Sequence, residues 1–312
     1  MIVAVTGAEG FIGSGLVHAL STAGHSIRPL VRIGKGKFSN CTKTVEVDIA
    51  TGEGLEGAFR GADVAIHLAA RNIRREGLST HLADEYRRVN VEGTRNVVRA
   101  ARTAGVRLII HASSTKAMGE ESGTAFDEDS PCMPRTPYGI SKLESERAVR
   151  EEVTGSSMAA VILRLPQVYG AGVGGKFLRM LRWADRGRPF PIVRPERMRS
   201  ILYLGNLGAG VVTLLGAPVP PISTYFLKDR EDVSFRTLYS AICAGLGKTP
   251  RFIMVPSIGV WFGMILSENV RNIAGSLQVS SVKFEREVGF SPPHSFEQAI
   301  SETVEWYKRS AR

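Results

Sequence analysis

Apolar residues gather into short runs along the first half of this chain, and the segments between them carry apolar positions at helical spacing. Ile2, Val3, Ala4 and Val5 read as a short buried strand; Leu16, Val17 and Leu20 then mark one face of a helix that Gly24 ends. Residues 26–31 predict a second strand. Pro29 removes a ladder donor there, so this strand is expected to be short or bulged near its end. Residues 44–47 form a third short strand ending at Asp48, and 63–68 a fourth, followed by the small residues Ala69 and Ala70. Val89, Val97, Val98 and Ala101 suit one long helix over 82–104, closed by Gly105. A fifth strand is expected at 107–111, with Ser113, Ser114 and Thr115 across its C-terminal end. The polar, proline-rich stretch 120–137 is a loop, 138–153 a helix, and Ala159–Leu165 a sixth strand. Strands alternating with helices imply an α/β protein with a parallel, doubly wound sheet.

Beyond Pro166 the alternation weakens. Residues 170–175 are glycine-rich, 177–188 predict a helix with several arginines, and 189–195 a loop. Residues 201–215 are apolar enough to return to the core; a strand at 224–227 and helices at 235–246 and 295–308 follow. The expected organisation is a Rossmann-type dinucleotide-binding domain over 1–165 and a smaller, irregular substrate-binding lobe over 166–312, with about 200–215 rejoining the core. No repeat or low-complexity segment interrupts it.

A chain of 312 residues can bury a sizeable core in one two-lobed enzyme. Cys41, Cys132 and Cys243 are odd in number and unpaired by spacing, which fits a reducing cytosol better than a disulfide framework or a metal site. The first apolar run is the strand itself and lacks a basic leader, so no secretory signal is expected. The longest later apolar stretch, 252–266, is broken by Pro256, Ser257 and two glycines. It is too short to span a bilayer and reads as a buried helix or a lid on the substrate site. The net charge of +10 could draw nucleic acid, an anionic membrane surface or small phosphorylated ligands. The sequence shows no basic tract of five or more residues and no basic face interleaved with aromatics, which argues against nucleic acid.

The chemistry starts at Gly7, Gly10 and Gly13, spaced Gly-x-x-Gly-x-x-Gly between the first strand and the first helix. The first permits a tight turn, the second lets a phosphate approach the backbone, and the third lets the helix pack on the strand. The N–H groups at that helix start favour a pyrophosphate. For the glycines alone, a merely structural turn is the other reading. Arg32 follows the second strand, where a carboxylate would bind a ribose 2′-OH and an arginine accommodates a 2′-phosphate. With Lys35 and Lys37 it favours NADP(H) and leaves NAD(H) open; a solvated basic loop is the alternative. Asp48 could take an adenine amino group or cap a turn. Tyr138 and Lys142, four residues apart, share a helix face. An ammonium beside a phenol favours phenolate, and such a tyrosine can exchange a proton with an alcohol or carbonyl while hydride moves at a nicotinamide. Ser114 can hydrogen-bond the same oxygen.

Further motifs join these: His67-Leu68-Ala69-Ala70, Asn90-Val91-Glu92-Gly93-Thr94, Ser113-Ser114 and Arg164-x-x-x-Val168-Tyr169-Gly170. The set resembles the extended short-chain dehydrogenase/reductase family, densely over the first half. Arg199-Ser200-Ile201 and Ser280-Ser281-Val282-Lys283 extend the likeness loosely to nearly the whole chain. Residues 113–120 resemble a bacterial subgroup with a lysine where Lys116 stands. It includes UDP-glucose 4-epimerase-like proteins and reductases of UDP-4-keto-6-deoxy-N-acetylhexosamines. The resemblance implies that Tyr138 is the acid/base, Lys142 binds the nicotinamide ribose and tunes it, Ser114 orients the sugar oxygen, and Asn90 supports the active-site helix. It places dinucleotide contacts at Gly7, Gly10, Phe11, Ile12, Gly13, Arg32, Asp48, Ile49, Leu68, Ala69, Ala70, Asn90, Tyr138 and Lys142. Substrate contacts fall at Ser114, Lys116, Lys176 and Arg199, the last on the sugar's pyrophosphate unless it is a surface charge.

Departures narrow the reading. Many relatives that epimerise carry tyrosine where Met118 stands, and Thr115 and Lys116 replace the Asp-Glu pair of 4,6-dehydratases. Lys176 stands where an asparagine is frequent, and Ser280 replaces an aspartate. The expectation is an NAD(P)-dependent oxidoreductase at C4 of a nucleoside-diphosphate sugar, UDP-linked, serving bacterial polysaccharide precursor synthesis in the cytoplasm. Arg32 favours a 4-ketoreductase, because net reduction suits a dissociable NADPH. The alternatives are a UDP-hexose 4-epimerase with tightly bound NAD and, in another class, a catalytically silent NAD(P)-binding protein. Neither nucleic acid nor stable membrane insertion is expected, and the oligomeric state stays open, a homodimer included.

Overall fold

Seven parallel strands form the centre of the computed structural model, which describes residues 1–34, 44–72, 80–192, 197–255 and 276–310. Six come from the first half: β1 (Ile2–Thr6), β2 (Ser26–Arg32), β3 (Val45–Val47), β4 (Val64–His67), β5 (Leu108–Ser114) and β6 (Ala159–Leu165). They stand in the order β6-β5-β4-β1-β2-β3, and Ile222–Phe226 pairs along the outer side of β6. The order reverses at β1, so β1 and β4 flank the switch point where this architecture opens a ligand crevice.

Period-two alternation explains the layers. Val3 and Val5 of β1, with Ile66, Ile110 and Leu163 of its neighbours, face one way. They pack on Leu16 and Leu20 of α1 (Phe11–Thr22) and on Leu207 and Val211 further along the chain. Ala4, Ala65, Ile109 and Ile162 face the other way, onto Val97, Val98 and Ala101 and onto Val149 and Val153. Both faces are covered, so the strands read as continuous apolar runs.

Some local expectations change. β2 runs unbulged through Arg32. Leu30 O accepts from Gly7 N (3.1 Å) on the β1 side, so the adjacent Pro29 turns to the other side, where pairing with β3 begins only at Leu30. The proline therefore removes a donor that the ladder does not use. After α2 (Leu55–Ala58), the single helix expected at 82–104 is α3 (Thr80–Tyr86), a π-helical turn over Arg87–Glu92, and α4 (Gly93–Thr103). β5 extends to Ser114, which puts Ser113 and Ser114 within the sheet.

α5 (Pro137–Val153) precedes β6, and the second half contains β7 (Gln167–Tyr169), α6 (Gly175–Asp185), β8 (Phe190–Ile192), β9 (Met198–Arg199), β10 (Ile201–Tyr203) and α7 (Leu204–Gly216). The seventh sheet strand is thus β11, and β12 (Val233–Ser234), α8 (Phe235–Gly245), β13 (Phe252–Met254), α9 (Val282–Val288) and α10 (Phe296–Ser310) follow. The expected loop at 189–195 contains β8, which pairs with β13 at the start of the apolar stretch; most of that stretch lies outside the described residues. A separate core of Phe177, Leu181, Phe190, Tyr239, Ile300 and Val304 joins α6, α8 and α10. Asp229 fastens this lobe to the sheet side: its carboxylate accepts from Tyr169 Oη (3.0 Å), Tyr203 N (2.9 Å) and Asn206 Nδ2 (2.7 Å). No helix among the described residues is long and apolar enough to cross a membrane.

Candidate active site

The turn after β1 closes so tightly that side chains are excluded from it. Gly7 has φ +67°, and a Cβ on Gly13 would lie 2.1 Å from Gly7 O. The first helical bond of α1 runs from Ser14 N to Gly10 O (2.8 Å), so the N–H groups of Phe11, Ile12 and Gly13 precede the ladder, where an anion is stabilised. A cleft of about 430 Å³ opens beside the turn. Gly7, Gly10, Arg32, Asp48, Ile49, Leu68, Ala69 and Ala70 line it. Glycines, alanines and an N-terminal helix end make this a cradle suited to a dinucleotide. Asp48 Oδ1 accepts from Ala50 N (2.8 Å), so the turn cap exists and the residue faces the cleft as well. Lys35 and Lys37 lie outside the described residues.

Glu9, which the sequence reading does not single out, also lines this cleft. Its Oε1 accepts from the Arg32 backbone N–H at 3.3 Å, so a carboxylate and an arginine are neighbours in the lining of the cleft.

Asn90 is buried beneath the cleft and does not line it. Its Oδ1 accepts from Arg71 N (2.7 Å), while its Nδ2 donates to Ser141 Oγ (3.0 Å). Ser141 Oγ donates in turn to Tyr138 O (2.8 Å). One amide therefore ties the chain leaving β4 to the first turn of α5.

The start of α5 follows from its sequence. Thr136 caps it, accepting from Gly139 N at 3.2 Å, and Pro137 occupies the first turn. Gly139 lets this turn press on the backbone after β5, since a Cβ there would stand 2.5 Å from Lys116 O. Tyr138 is partly buried, its ring edge-on to Tyr86 at 5.9 Å. Lys142, one turn on, is buried and donates from Nζ to Ala112 O (2.6 Å). Burial pulls its ammonium down to about 8, with Glu146 opposing. Glu146 is itself buried, paired with Arg164 at 2.8 Å and accepting from Ser113 Oγ at 2.5 Å.

Under this helix His67 and His111 stack at 5.3 Å. Thr6 Oγ1 (2.7 Å) and Thr94 Oγ1 (3.0 Å) hold His67, and Ser145 Oγ (3.0 Å) holds His111. Burial, seconded by Lys142, pushes His67 down to about 3 and His111 well below its ordinary value.

A second cavity, of about 420 Å³, lies between the sheet edge and the smaller lobe. Ser114, Lys116, Lys176, Arg179 and Arg199 bring polar groups to it, and Phe177, Met180, Phe190, Phe235 and Leu238 supply apolar walls. Ser114 Oγ accepts from Lys116 N (3.2 Å), which caps the short 3₁₀ turn Thr115–Ala117. Arg199 lies on β9, its guanidinium 4.0 Å over the Phe235 ring, and burial lowers it to about 10. Met118 does not face this cavity; it is buried with Phe226 and Val279.

Tyr138 and Lys142 line neither cavity. They stand between the two, because α5 packs on the Thr115–Ala117 turn, part of one wall, and on the π-helical turn whose Arg88 and Val89 line the other. The geometry can thus hold a dinucleotide on one side of α5 and a phosphorylated, partly apolar ligand on the other, with a phenol at the helix head.

Residues 3–222 match the model of the NAD dependent epimerase/dehydratase family. The chain belongs to that family. It is an extended short-chain dehydrogenase/reductase, as its motifs imply. A UDP-glucose 4-epimerase of Vibrio cholerae is 29% identical over 311 residues, 96% of this chain and 94% of that protein. The N-acetyl-alpha-D-glucosaminyl-diphospho-ditrans,octacis-undecaprenol 4-epimerase of Escherichia coli O157:H7 is 25% identical over 321 residues, covering 97% and 94%. Among solved structures, the Thermus thermophilus UDP-glucose 4-epimerase complex with NAD superposes with TM-score 0.80 at 25% identity, over 99% of both chains.

Proposed function

We propose that this enzyme is an NAD(P)-dependent oxidoreductase acting at C4 of a UDP-linked sugar. The observation that carries the reading is the second cavity, where Ser114 at a strand end meets Lys116, Lys176 and Arg199 against aromatic walls, one helix away from a dinucleotide cradle. Cations suit a diphosphate; flat apolar walls suit a base and a sugar face. Relatives that act on UDP-glucose support the same class. The dinucleotide, when bound, supplies hydride chemistry. Gly7, Gly10 and the first turn of α1 would hold its pyrophosphate, and Lys142 its nicotinamide ribose. Ser114 orients the sugar oxygen, and the Tyr138 hydroxyl donates or accepts the proton there. Asn90 and Ser141 hold the helix that carries both Tyr138 and Lys142.

Arg32 favours NADP(H) and hence a 4-ketoreductase of polysaccharide precursor synthesis. The Glu9 carboxylate beside it favours a second reading, since it can accept from a ribose 2′-OH and repels a 2′-phosphate. That reading is a 4-epimerase with retained NAD.

Calorimetry with UDP, NADPH and NADH on the unmodified protein and on Arg199→Ala tests these points. UDP affinity should fall by roughly tenfold to a hundredfold in the variant, the scale of a charge-assisted contact, with dinucleotide affinity unchanged. Equal UDP affinity in the two proteins would remove the nucleotide-sugar reading. Tighter NADPH than NADH supports the reductase, and the reverse order supports the epimerase.

A further inference from the structure

The smaller lobe carries a surface that the catalytic reading leaves unused. Along α6 and the turn after it, Arg179, Arg182, Trp183 and Arg186 are exposed and follow one another at i, i+3, i+4 and i+7, on the side opposite the buried Phe177, Leu181 and Ala184. Trp183 is anchored by Nε1 to Pro189 O (3.0 Å), and the Arg188 guanidinium stands 5.3 Å over its ring. Pro189 leads into β8, and β13 pairs beside it with Ile253 against Pro191 and Met254 against Ile192. Ile253 is 54% exposed and Met254 55%, values at which an aliphatic side chain is left largely in water. Arg236 flanks them, its guanidinium 5.1 Å over the Phe252 ring. Folding thus brings exposed arginines, a tryptophan and exposed aliphatic groups into one region of the lobe, since Pro189 O holds Trp183 and leads into the β8–β13 pair, although its parts are scattered in the sequence.

We infer that this face is a docking surface for an anionic lipid bilayer. Charge complementarity selects the occupant: the arginines match anionic headgroups, within a protein of net charge +10. The half-exposed tryptophan, isoleucine and methionine are the group that enters the headgroup boundary, an anchoring that a nucleic acid does not require. Arg179, Trp183 and Pro191 also line the substrate cavity, so its rim would rest against the membrane.

Co-sedimentation of the full chain with phosphatidylcholine vesicles, with and without phosphatidylglycerol, tests it. Binding should require the anionic lipid and weaken with salt. Arg182→Glu/Arg186→Glu should lower the partition coefficient by about twenty-fivefold or more, counting about fivefold per arginine. Ile253→Ser/Met254→Ser should weaken binding at high salt, where the apolar anchors dominate. Neither pair of residues lines a cavity, so UDP affinity should stay unchanged in both variants, which separates this test from that of the catalytic reading. No preference for anionic vesicles, or equal binding by the charge-reversal variant, would overturn the inference. So would retention by duplex DNA in place of vesicles, or a dimer that the same substitutions dissociate.

Discussion

Tyr138 and Lys142 are expected to work as a pair, and the pair depends on a charge that burial makes easy to lose. The Lys142 ammonium is held at about 8, below its ordinary 10.5, chiefly because it is desolvated. A rise in pH through that value removes the positive charge whose field favours phenolate one helical turn away. Turnover should therefore fall above about pH 8, before the tyrosine of an unperturbed site would titrate. Lys142→Arg keeps its charge at that pH, so its profile should stay flat there, at a lower plateau because the guanidinium fork cannot reproduce the bond to Ala112 O. Nicotinamide absorbance on addition of a UDP-hexose, followed from about pH 6 to pH 10 in both proteins, reads this. Parallel profiles would mean that another group controls the decline. At this scale the sequence is legible where geometry sits in a short motif: the four-residue spacing puts Tyr138 and Lys142 one turn apart on α5. Glu9 does not, because its relation to Arg32 arises only when β2 is laid beside the glycine turn.

At the scale of elements, α5 is placed by one missing side chain. Gly139 follows Tyr138, and any Cβ there meets Lys116 O at 2.5 Å and Pro134 Cβ at 3.0 Å. Backbone cannot yield as a flexible side chain would, so Gly139→Ala should push the first turn of α5 away from the Thr115–Ala117 turn. Overpacking of this kind costs about 1–3 kcal/mol of stability. The effect on turnover should be larger in kind, roughly a hundredfold, because misplacement by about 1 Å moves the phenol relative to Ser114. Dinucleotide affinity should fall much less than turnover, since most of its cradle lies at β1 and α1 and Lys142 sits one turn further along α5. Thermal melts, turnover and NADH titration on the variant separate the two effects; a loss of turnover no larger than the loss of folded protein would reduce Gly139 to a packing residue. The alternation of strands and helices is legible in the first half because each element declares its own period. The π-helical turn, β8 and the joining of β11 to β6 are not. They depend on partners distant in sequence, and in β8 the run is only three residues long.

At the scale of the whole molecule, the stacked pair His67 and His111 should make the fold acid-labile. Both are fully enclosed between β4, β5 and the helices above them, and each is held below its ordinary value of 6.5, His67 at about 3. Between those values the unfolded chain takes up protons that the folded chain refuses. Stability therefore rises with pH in this window, and it is lost as pH falls from about 6.5 toward 3. At pH 5 His67 should have cost about 2 kcal/mol relative to pH 8, since one pH unit is worth about 1.4 kcal/mol per proton, and His111 acts in the same direction. That is large beside a typical total of about 5–15 kcal/mol. Carboxylates also begin to protonate near about pH 5, so the informative quantity is a difference between proteins. Denaturant melts at about pH 8 and pH 5 on the unmodified chain and on His67→Gln supply it. Gln can still meet Thr6 or Thr94 but does not titrate, so the variant should be weaker at the higher pH and lose about 2 kcal/mol less on going to the lower one. His111→Gln gives a reading of the same sign if His67→Gln fails to fold. An identical pH penalty in variant and parent would show that acid unfolding is driven by carboxylates elsewhere, and that the buried imidazoles take up their protons equally in the folded and unfolded chain.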